Sequence, residues 1–201
     1  MSIQAVFFDL GGVILRTEYQ APREHLAERL GIEYEILEQA VFESASARKA
    51  SLGEITEEAH WASVARRLGR PVLEANALRD EFFGGDVIDL NLVAFLRSLK
   101  AHYTTGLISN AWSGLRAYIV SRKFEDAFHT MTISAEVGVT KPTAQIYQLA
   151  LEQARVQPEA AVFVDDFIEN IEGARKLGMS TIHFREAEST LAELKTLLKM
   201  Q

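Results

Sequence analysis

The feature that most constrains this chain is an alternation. From about residue 103 onward, short apolar runs of strand length take turns with amphipathic segments of helical length. Tyr103–Ile108 reads as a buried strand ending at Ser109-Asn110, Ser113–Lys123 as a helix, and His129–Ile133 as a weaker strand. Thr143–Ala154 places Ile146, Leu149, Ala150 and Gln153 at helical spacing, with Pro142 suited to a helix start. Ala160–Val164 is a strand followed by a helix through Leu177 that stops at Gly178. Thr181–Phe184 is a further strand and Glu188–Met200 a last amphipathic helix. Strands that are apolar along their whole length, separated by helices, predict a parallel sheet covered on both faces. With the apolar run Ile3–Phe8 as its first strand, the chain is expected to be an α/β protein built on a doubly wound parallel sheet.

Thr17–Gly85 breaks the alternation. No strand is evident, and the apolar residues recur at helical spacing: Leu26/Leu30, Leu37/Val41, Trp61/Ala65/Leu68 and Leu78/Phe82. Thr56 is placed as an N-cap, with Glu57 and Glu58 in the first turn where negative charge favours the helix dipole. The expectation is a core of residues 1–16 plus 86–201 and an inserted helical cap of about four helices over residues 17–85. Composition narrows the function classes. The 201 residues include no cysteine, which removes thiol nucleophiles, disulfide scaffolds and zinc-thiolate sites. A net charge of −7 gives no help to nucleic-acid or anionic-membrane binding, and no apolar run approaches the ~18 residues of a membrane span. The N-terminus has no basic lead-in, so no signal peptide is expected and the cytoplasm is the default compartment. A monomer or homodimer is expected, with no nucleic-acid or membrane partner.

In a doubly wound sheet, ligands bind outside the carboxyl ends of the strands. Asp9 follows the first strand, Ser109-Asn110 the second and Lys141 the third. Asp165-Asp166 follow the fourth, with Asn170 one helical turn beyond. Two or three carboxylates at such an edge suit a hard cation such as Mg²⁺. A lysine and a hydroxyl opposite suit the oxygens of a phosphoryl group, and a carboxylate held against that group can attack it.

Four segments in order then resemble the haloacid dehalogenase-like hydrolases: Phe8-Asp9-Leu10-Gly11-Gly12-Val13-Ile14; Leu107-Ile108-Ser109-Asn110; Lys141-Pro142 with Ser134 before it and Tyr147 after it; and Val162–Ala174 containing Asp165-Asp166 and Asn170. The chain is most similar to the helical-cap branch, near small sugar-phosphate phosphatases and the phosphatase domain of epoxide hydrolases. The resemblance implies a Rossmann-like core and a Mg²⁺-dependent phosphatase acting on a small phosphorylated metabolite, a sugar phosphate being one candidate. It implies Asp9 as nucleophile and metal ligand. Ser109 and Asn110 are implied to bind substrate, and Lys141 to bridge Asp9 and the phosphoryl group. Asp166, Asp165 and the Gly11 carbonyl would hold Mg²⁺, with Asn170 supporting.

Gly11 departs from the pattern, because many phosphatases of this family carry a second aspartate there as acid and base. Either the leaving group needs little protonation or a cap carboxylate substitutes, Glu18 and Glu54 being the candidates. Two rival functions share the nucleophile. A metal-independent 2-haloacid dehalogenase has no use for the acidic pair, and a phosphate-binding module would have lost turnover with Gly11. Other residues have ordinary readings. The histidines at 25, 60, 102, 129 and 183 lack metal-ligand spacing, and Trp61, Phe82, Phe83, Phe124 and Phe128 read as core. Arg48 and Lys49 read as solvated helix residues, and Trp112 as core or as lining of the site's mouth.

Overall fold

The computed structural model describes residues 2–200. In chain order, β1 (Ala5–Phe8) and β2 (Leu15–Thr17) lead into five helices: α1 (Ala21–Leu30), α2 (Tyr34–Glu38), α3 (Ala45–Ser51), α4 (Glu57–Arg67) and α5 (Ala75–Phe82). A π-helical turn at Gln39–Glu43 joins α2 to α3, and a 3-10 turn at Val72–Glu74 precedes α5. β3 (Asp86–Ile88), α6 (Leu90–Leu99), β4 (Thr104–Ser109), α7 (Leu115–Ser121) and β5 (Thr130–Ile133) follow. The chain continues through α8 (Ser134–Val137), α9 (Ala144–Ala154), β6 (Ala161–Asp165), α10 (Ile168–Lys176), β7 (Ser180–His183) and α11 (Ala187–Leu198).

Five strands form one parallel sheet in the order β5-β4-β1-β6-β7. Because side chains alternate across a strand, each strand feeds two cores. Val6, Phe8, Leu107, Val162, Val164 and Ile182 point to one face, where α6 and α11 cover them with Leu92, Val93, Leu96, Leu99, Leu194 and Leu198. Ala5, Phe7, Ile108, Ala161 and Phe163 point to the other, where α9 and α10 supply Ile146, Tyr147, Ala150, Leu151 and Ala174. Burial on both faces is why β1 and β6 are apolar throughout. Gly106 is paired with Phe7 across β1 and β4, and a Cβ there would strike the Phe7 ring and Thr130.

The helices between residues 21 and 82 bury a third cluster of their own: Leu26, Ala27, Leu37, Val41, Trp61, Val64, Ala65, Ala75, Leu78 and Phe82. Each large side chain buried there is worth about 1.5–3 kcal/mol of apolar transfer. The chain enters and leaves this segment through a two-stranded antiparallel pair, with Leu15 opposite Ile88 and Thr17 opposite Asp86. Arg23 ties the helices to that pair. Its guanidinium donates to Thr17 Oγ1 at 2.7 Å, Asp86 Oδ1 at 3.1 Å, Glu38 Oε1 at 3.0 Å and the Phe82 carbonyl at 3.2 Å, and lies 4.3 Å from the Phe82 ring.

The α/β class and the doubly wound parallel sheet agree with the sequence reading. Three details differ. The segment carries five α-helices rather than about four, because the π-helical turn and Ser44 divide what reads as one apolar stretch; Ser44 Oγ caps α3 by accepting from Ala47 N at 3.1 Å. The helix expected over Ser113–Lys123 is confined to Leu115–Ser121. α6 lies outside the expected elements altogether, although Asp89 caps it by accepting from Asn91 N at 3.0 Å and Leu92 N at 2.9 Å. Among the described residues, no helix is long and apolar enough to cross a membrane.

Candidate active site

β1 lies at the centre of the sheet, so Asp9 at its carboxyl end is flanked by Ser109 at the end of β4 and Asp165 at the end of β6. The Asp9 amide continues the ladder by donating to the Val164 carbonyl at 2.9 Å. Its Oδ1 accepts from Leu10 N at 2.7 Å and lies 2.9 Å from Lys141 Nζ. Lys141 Nζ also reaches Asp165 Oδ2 at 2.7 Å, so one buried ammonium joins two buried carboxylates. Asn110 fixes the lysine's backbone, donating to its carbonyl at 3.0 Å and accepting from its N–H at 2.8 Å. Ser134, just past β5, holds the loop after β4. Its Oγ accepts from Ala111 N at 3.0 Å and donates to the Ala111 carbonyl at 3.1 Å.

Asp165 has no acceptor capacity left. Oδ1 accepts from Phe167 N at 2.7 Å and Asn170 Nδ2 at 3.0 Å, while Oδ2 accepts from Lys141 and, at 3.1 Å, from Asn170 Nδ2. A carboxylate offers about four acceptor positions, and all are taken. Asn170 is itself seated by Tyr147, whose hydroxyl donates to the Asn170 carbonyl at 2.8 Å. Asp166 is the contrast: its Oδ1 is buried with no hydrogen-bond partner among the described residues. Gly12 makes room for it. The backbone there is left-handed, with φ +76°, and a Cβ would collide with the Asp166 carboxylate.

Charge in this cluster is unbalanced. One oxygen each from Asp9, Asp165 and Asp166 lie within 4.8 Å of one another, and among the described residues Lys141 is the one ammonium bonded to any of them. Burial pushes the Asp9 carboxyl up to about 6; the lysine pulls against this and Asp165 adds to it. Burial, then the neighbouring Asp165, likewise raises Asp166. A hard divalent cation relieves both, since it is ligated by carboxylate oxygens and needs no directional donor set. The Asp166 carboxylate, with its orphaned oxygen, therefore fits Mg²⁺, with Asp9 and Asp166 as the carboxylates free to hold it.

The remaining expected residues fall as follows. Ser109 is buried at the strand end. Gly11 is exposed, has ordinary backbone angles and has no heavy atom within 4 Å of where a Cβ would stand, so nothing steric demands glycine. Glu18 is exposed and paired with Arg16 at 3.1 Å, and Glu54 is exposed. Arg48 donates to the Glu43 carbonyl at 2.8 Å, capping its own helical region. Phe124 and Phe128 pack in the core as expected, and so do Trp61 and Phe82. His183 agrees with the structural reading of the histidines: its Nε2 lies 2.9 Å from the backbone carbonyl of Asp166.

A carboxylate–lysine cluster at the carboxyl edge of a doubly wound sheet defines an α/β enzyme core. The family model described as haloacid dehalogenase-like hydrolase matches residues 3–178, and the chain belongs to that family. It is 31% identical to bifunctional epoxide hydrolase 2 of Rattus norvegicus over 168 residues, covering 80% of this chain and 27% of that protein. It is 24% identical to the sesquiterpene phosphatase astK of Aspergillus oryzae, covering 98% and 97% of the two chains. The chain spans 27–40% of the length of the rat and pig epoxide hydrolases it matches. Among solved structures, an HAD family enzyme of Bacteroides thetaiotaomicron in complex with magnesium and inorganic phosphate superposes with a TM-score of 0.76 at 23% identity, covering 92% of this chain and 96% of that one. An L-2-haloacid dehalogenase of Xanthobacter autotrophicus superposes with a TM-score of 0.69 at 20% identity, covering 96% and 82%.

Proposed function

We propose that the chain is a Mg²⁺-dependent phosphomonoesterase that hydrolyses a small phosphorylated metabolite through an aspartyl-phosphate on Asp9. The observation that carries this reading is the Asp166 carboxylate, which has one buried oxygen without a partner and places an oxygen within 4.8 Å of one from Asp9. A dehalogenase attacking carbon without metal has no use for an extra carboxylate at that point, whereas a phosphoryl-transfer site needs a cation there. The relatives named as phosphatases support the same direction.

In this reading an Asp9 carboxylate oxygen attacks phosphorus as the P–O ester bond breaks and the departing oxygen takes a proton from water. A second water, giving its proton to solvent, then attacks the same phosphorus and breaks the Asp9 O–P bond, releasing phosphate and returning Asp9. Lys141 holds Asp9 in place and neutralises a phosphoryl oxygen, while the Ser109 hydroxyl and the backbone after it bind the others. Asp165 and Asn170 position Lys141 from one side and Asn110 from the other, which makes Asn110 a positioning residue rather than a substrate ligand. Asp9, Asp166 and the Gly11 carbonyl would hold Mg²⁺, which when bound supplies positive charge to offset the transferring group. We further divide the chain into a catalytic core of residues 1–16 plus 86–201 and a helical cap of residues 17–85. The separate apolar cluster of that segment supports the division.

The test is release of p-nitrophenol from its phosphate ester with Mg²⁺ and with EDTA, alongside Asp9→Asn. Metal-dependent release that disappears in Asp9→Asn is the expected result. Metal-free chloride release from 2-chloropropionate would overturn it in favour of a dehalogenase, and phosphate binding without turnover of any ester in favour of a binding module.

A further inference from the structure

We propose that an aromatic surface formed by Phe42, Phe83 and Trp112 receives the leaving group of the substrate, and that this group is an apolar, ring-bearing or hydrocarbon alcohol rather than a polyol. The inference rests on the phosphomonoesterase reading and narrows its substrate class.

Trp112 links the edge of the sheet to the helical segment. It lies three residues after Ser109, so its Cα is within about 11 Å of that residue's, yet it packs against the apolar cluster of the helical segment. Its ring stacks on Phe42 at 6.2 Å with an interplanar angle of 26°, and Phe83 lies 6.3 Å from it. Phe42 is 47% exposed, on a π-helical turn whose neighbours Ala40 and Val41 are fully buried. The fold thus keeps a large apolar ring in solvent beside the loop that carries Ser109. On the opposite flank of Asp9, in the loop after β6, Phe167 is 61% exposed. Partly or well exposed apolar side chains thus follow the strand ends on both sides of β1, with Trp112 three residues after Ser109 and Phe167 two residues after Asp165.

The polar groups next to these rings are engaged elsewhere in part: Ser113 Oγ accepts from Glu57 N at 3.0 Å. His60 and Trp61 lie against the Trp112 ring at 4.3 and 6.1 Å, and His60 Nε2 and Trp61 Nε1 are buried without a hydrogen-bond partner among the described residues. Both rings are enclosed, His60 at 0% and Trp61 at 1% exposure, so they form the floor beneath Trp112 rather than a contact surface. The Arg23 guanidinium is 5.7 Å from the Phe42 ring, but its N–H groups are already committed to Thr17, Glu38, Asp86 and the Phe82 carbonyl. A polyol needs several donors and acceptors converging on it. The ring faces of Phe42, Phe83 and Trp112 suit an apolar alcohol carrying little polarity beyond its ester oxygen.

Trp112 is part of this surface and Trp61, the chain's other tryptophan, is buried 6.1 Å from it, so intrinsic fluorescence reads the surface without turnover. We would titrate the Mg²⁺-loaded protein with benzylphosphonate and with methylphosphonate, and compare kcat/KM for benzyl phosphate and glycerol 3-phosphate. The expected results are a saturable fluorescence change with benzylphosphonate that exceeds the response to methylphosphonate, and a preference for the benzyl ester of about tenfold or more. Phe42→Ala, at an exposed position, should weaken benzylphosphonate binding and lower the selectivity ratio, each by about tenfold, the size of one aromatic contact. Equal responses to the two phosphonates, or hydrolysis that favours glycerol 3-phosphate, overturns the proposal. A chain that hydrolyses no ester yet binds benzylphosphonate selectively overturns the phosphomonoesterase reading and leaves the aromatic surface standing.

Discussion

Asp165 and Asp166 are adjacent and chemically identical, and the fold gives them opposite work. The first is consumed by Lys141, Asn170 and the Phe167 amide; the second keeps a buried oxygen free. That the acidic pair belongs to the site is legible in the sequence, because it follows an apolar strand. Which of the two is free is not, because it depends on a lysine brought in from after β5 and on how the turn after β6 aims the Phe167 amide and Asn170. Gly11 and Gly12 divide in the same way. Gly12 has φ +76° and its missing Cβ accommodates Asp166, whereas Gly11 has ordinary angles and open space around it. Gly12→Ala is therefore expected to lower stability by about 1–3 kcal/mol, from left-handed strain and the displaced carboxylate, while Gly11→Ala changes it by less than about 0.5 kcal/mol. Urea unfolding of the two variants checks this; equal losses would show that the Asp166 contact does not constrain the turn.

At the level of elements, the strands of the large sheet are legible because burial on both faces leaves an unbroken apolar run. The antiparallel pair β2 and β3 is not, since each strand is three residues long and only half-buried, too short for a period to show. α6 announces itself only through Asp89, a cap signal with a continuously apolar run behind it that strand and helix templates fit equally well. α4 is legible from Thr56, whose hydroxyl accepts from Ala59 N at 3.2 Å. Its register places His60 at full burial, where desolvation lowers the imidazole to about 4 against an ordinary 6.5. The unfolded chain then takes up a proton near pH 6.5 that the folded chain refuses until about pH 4. His60 thus costs nothing above pH 6.5, and stability falls as pH drops from there toward 4, by on the order of 3 kcal/mol in all. Comparing urea midpoints at pH 7.5 and 5, the wild-type chain should lose more than His60→Gln. Equal losses would mean that the imidazole is protonated in the folded state.

For the whole molecule, the sheet order is what turns four scattered sequence segments into one site. Asp9, Ser109, Lys141 and Asp165 are up to 156 positions apart in the chain, and the order β5-β4-β1-β6-β7 sets them side by side. The alternation of strands and helices predicts that they meet at one edge, and Asp9, Asp165 and Asp166 against the single Lys141 already make negative charge exceed positive there. That excess links the site to global stability, because a cation binding only the folded chain shifts the unfolding equilibrium. At a Mg²⁺ concentration a hundredfold above its dissociation constant the gain is about 2.7 kcal/mol. For a chain of this size that raises Tm by about 5–10 °C. EDTA should reverse the shift. Asp166→Asn should remove most of it by deleting the free carboxylate, whereas Asp165→Asn should lower Tm without Mg²⁺, by loosening Lys141, and still respond to the metal. The opposite pattern, with the response lost in Asp165→Asn and kept in Asp166→Asn, would exchange the roles of the two acids. A Tm indifferent to Mg²⁺ in the wild-type chain would mean that Lys141 alone balances the cluster and that the edge of the sheet is not a metal site.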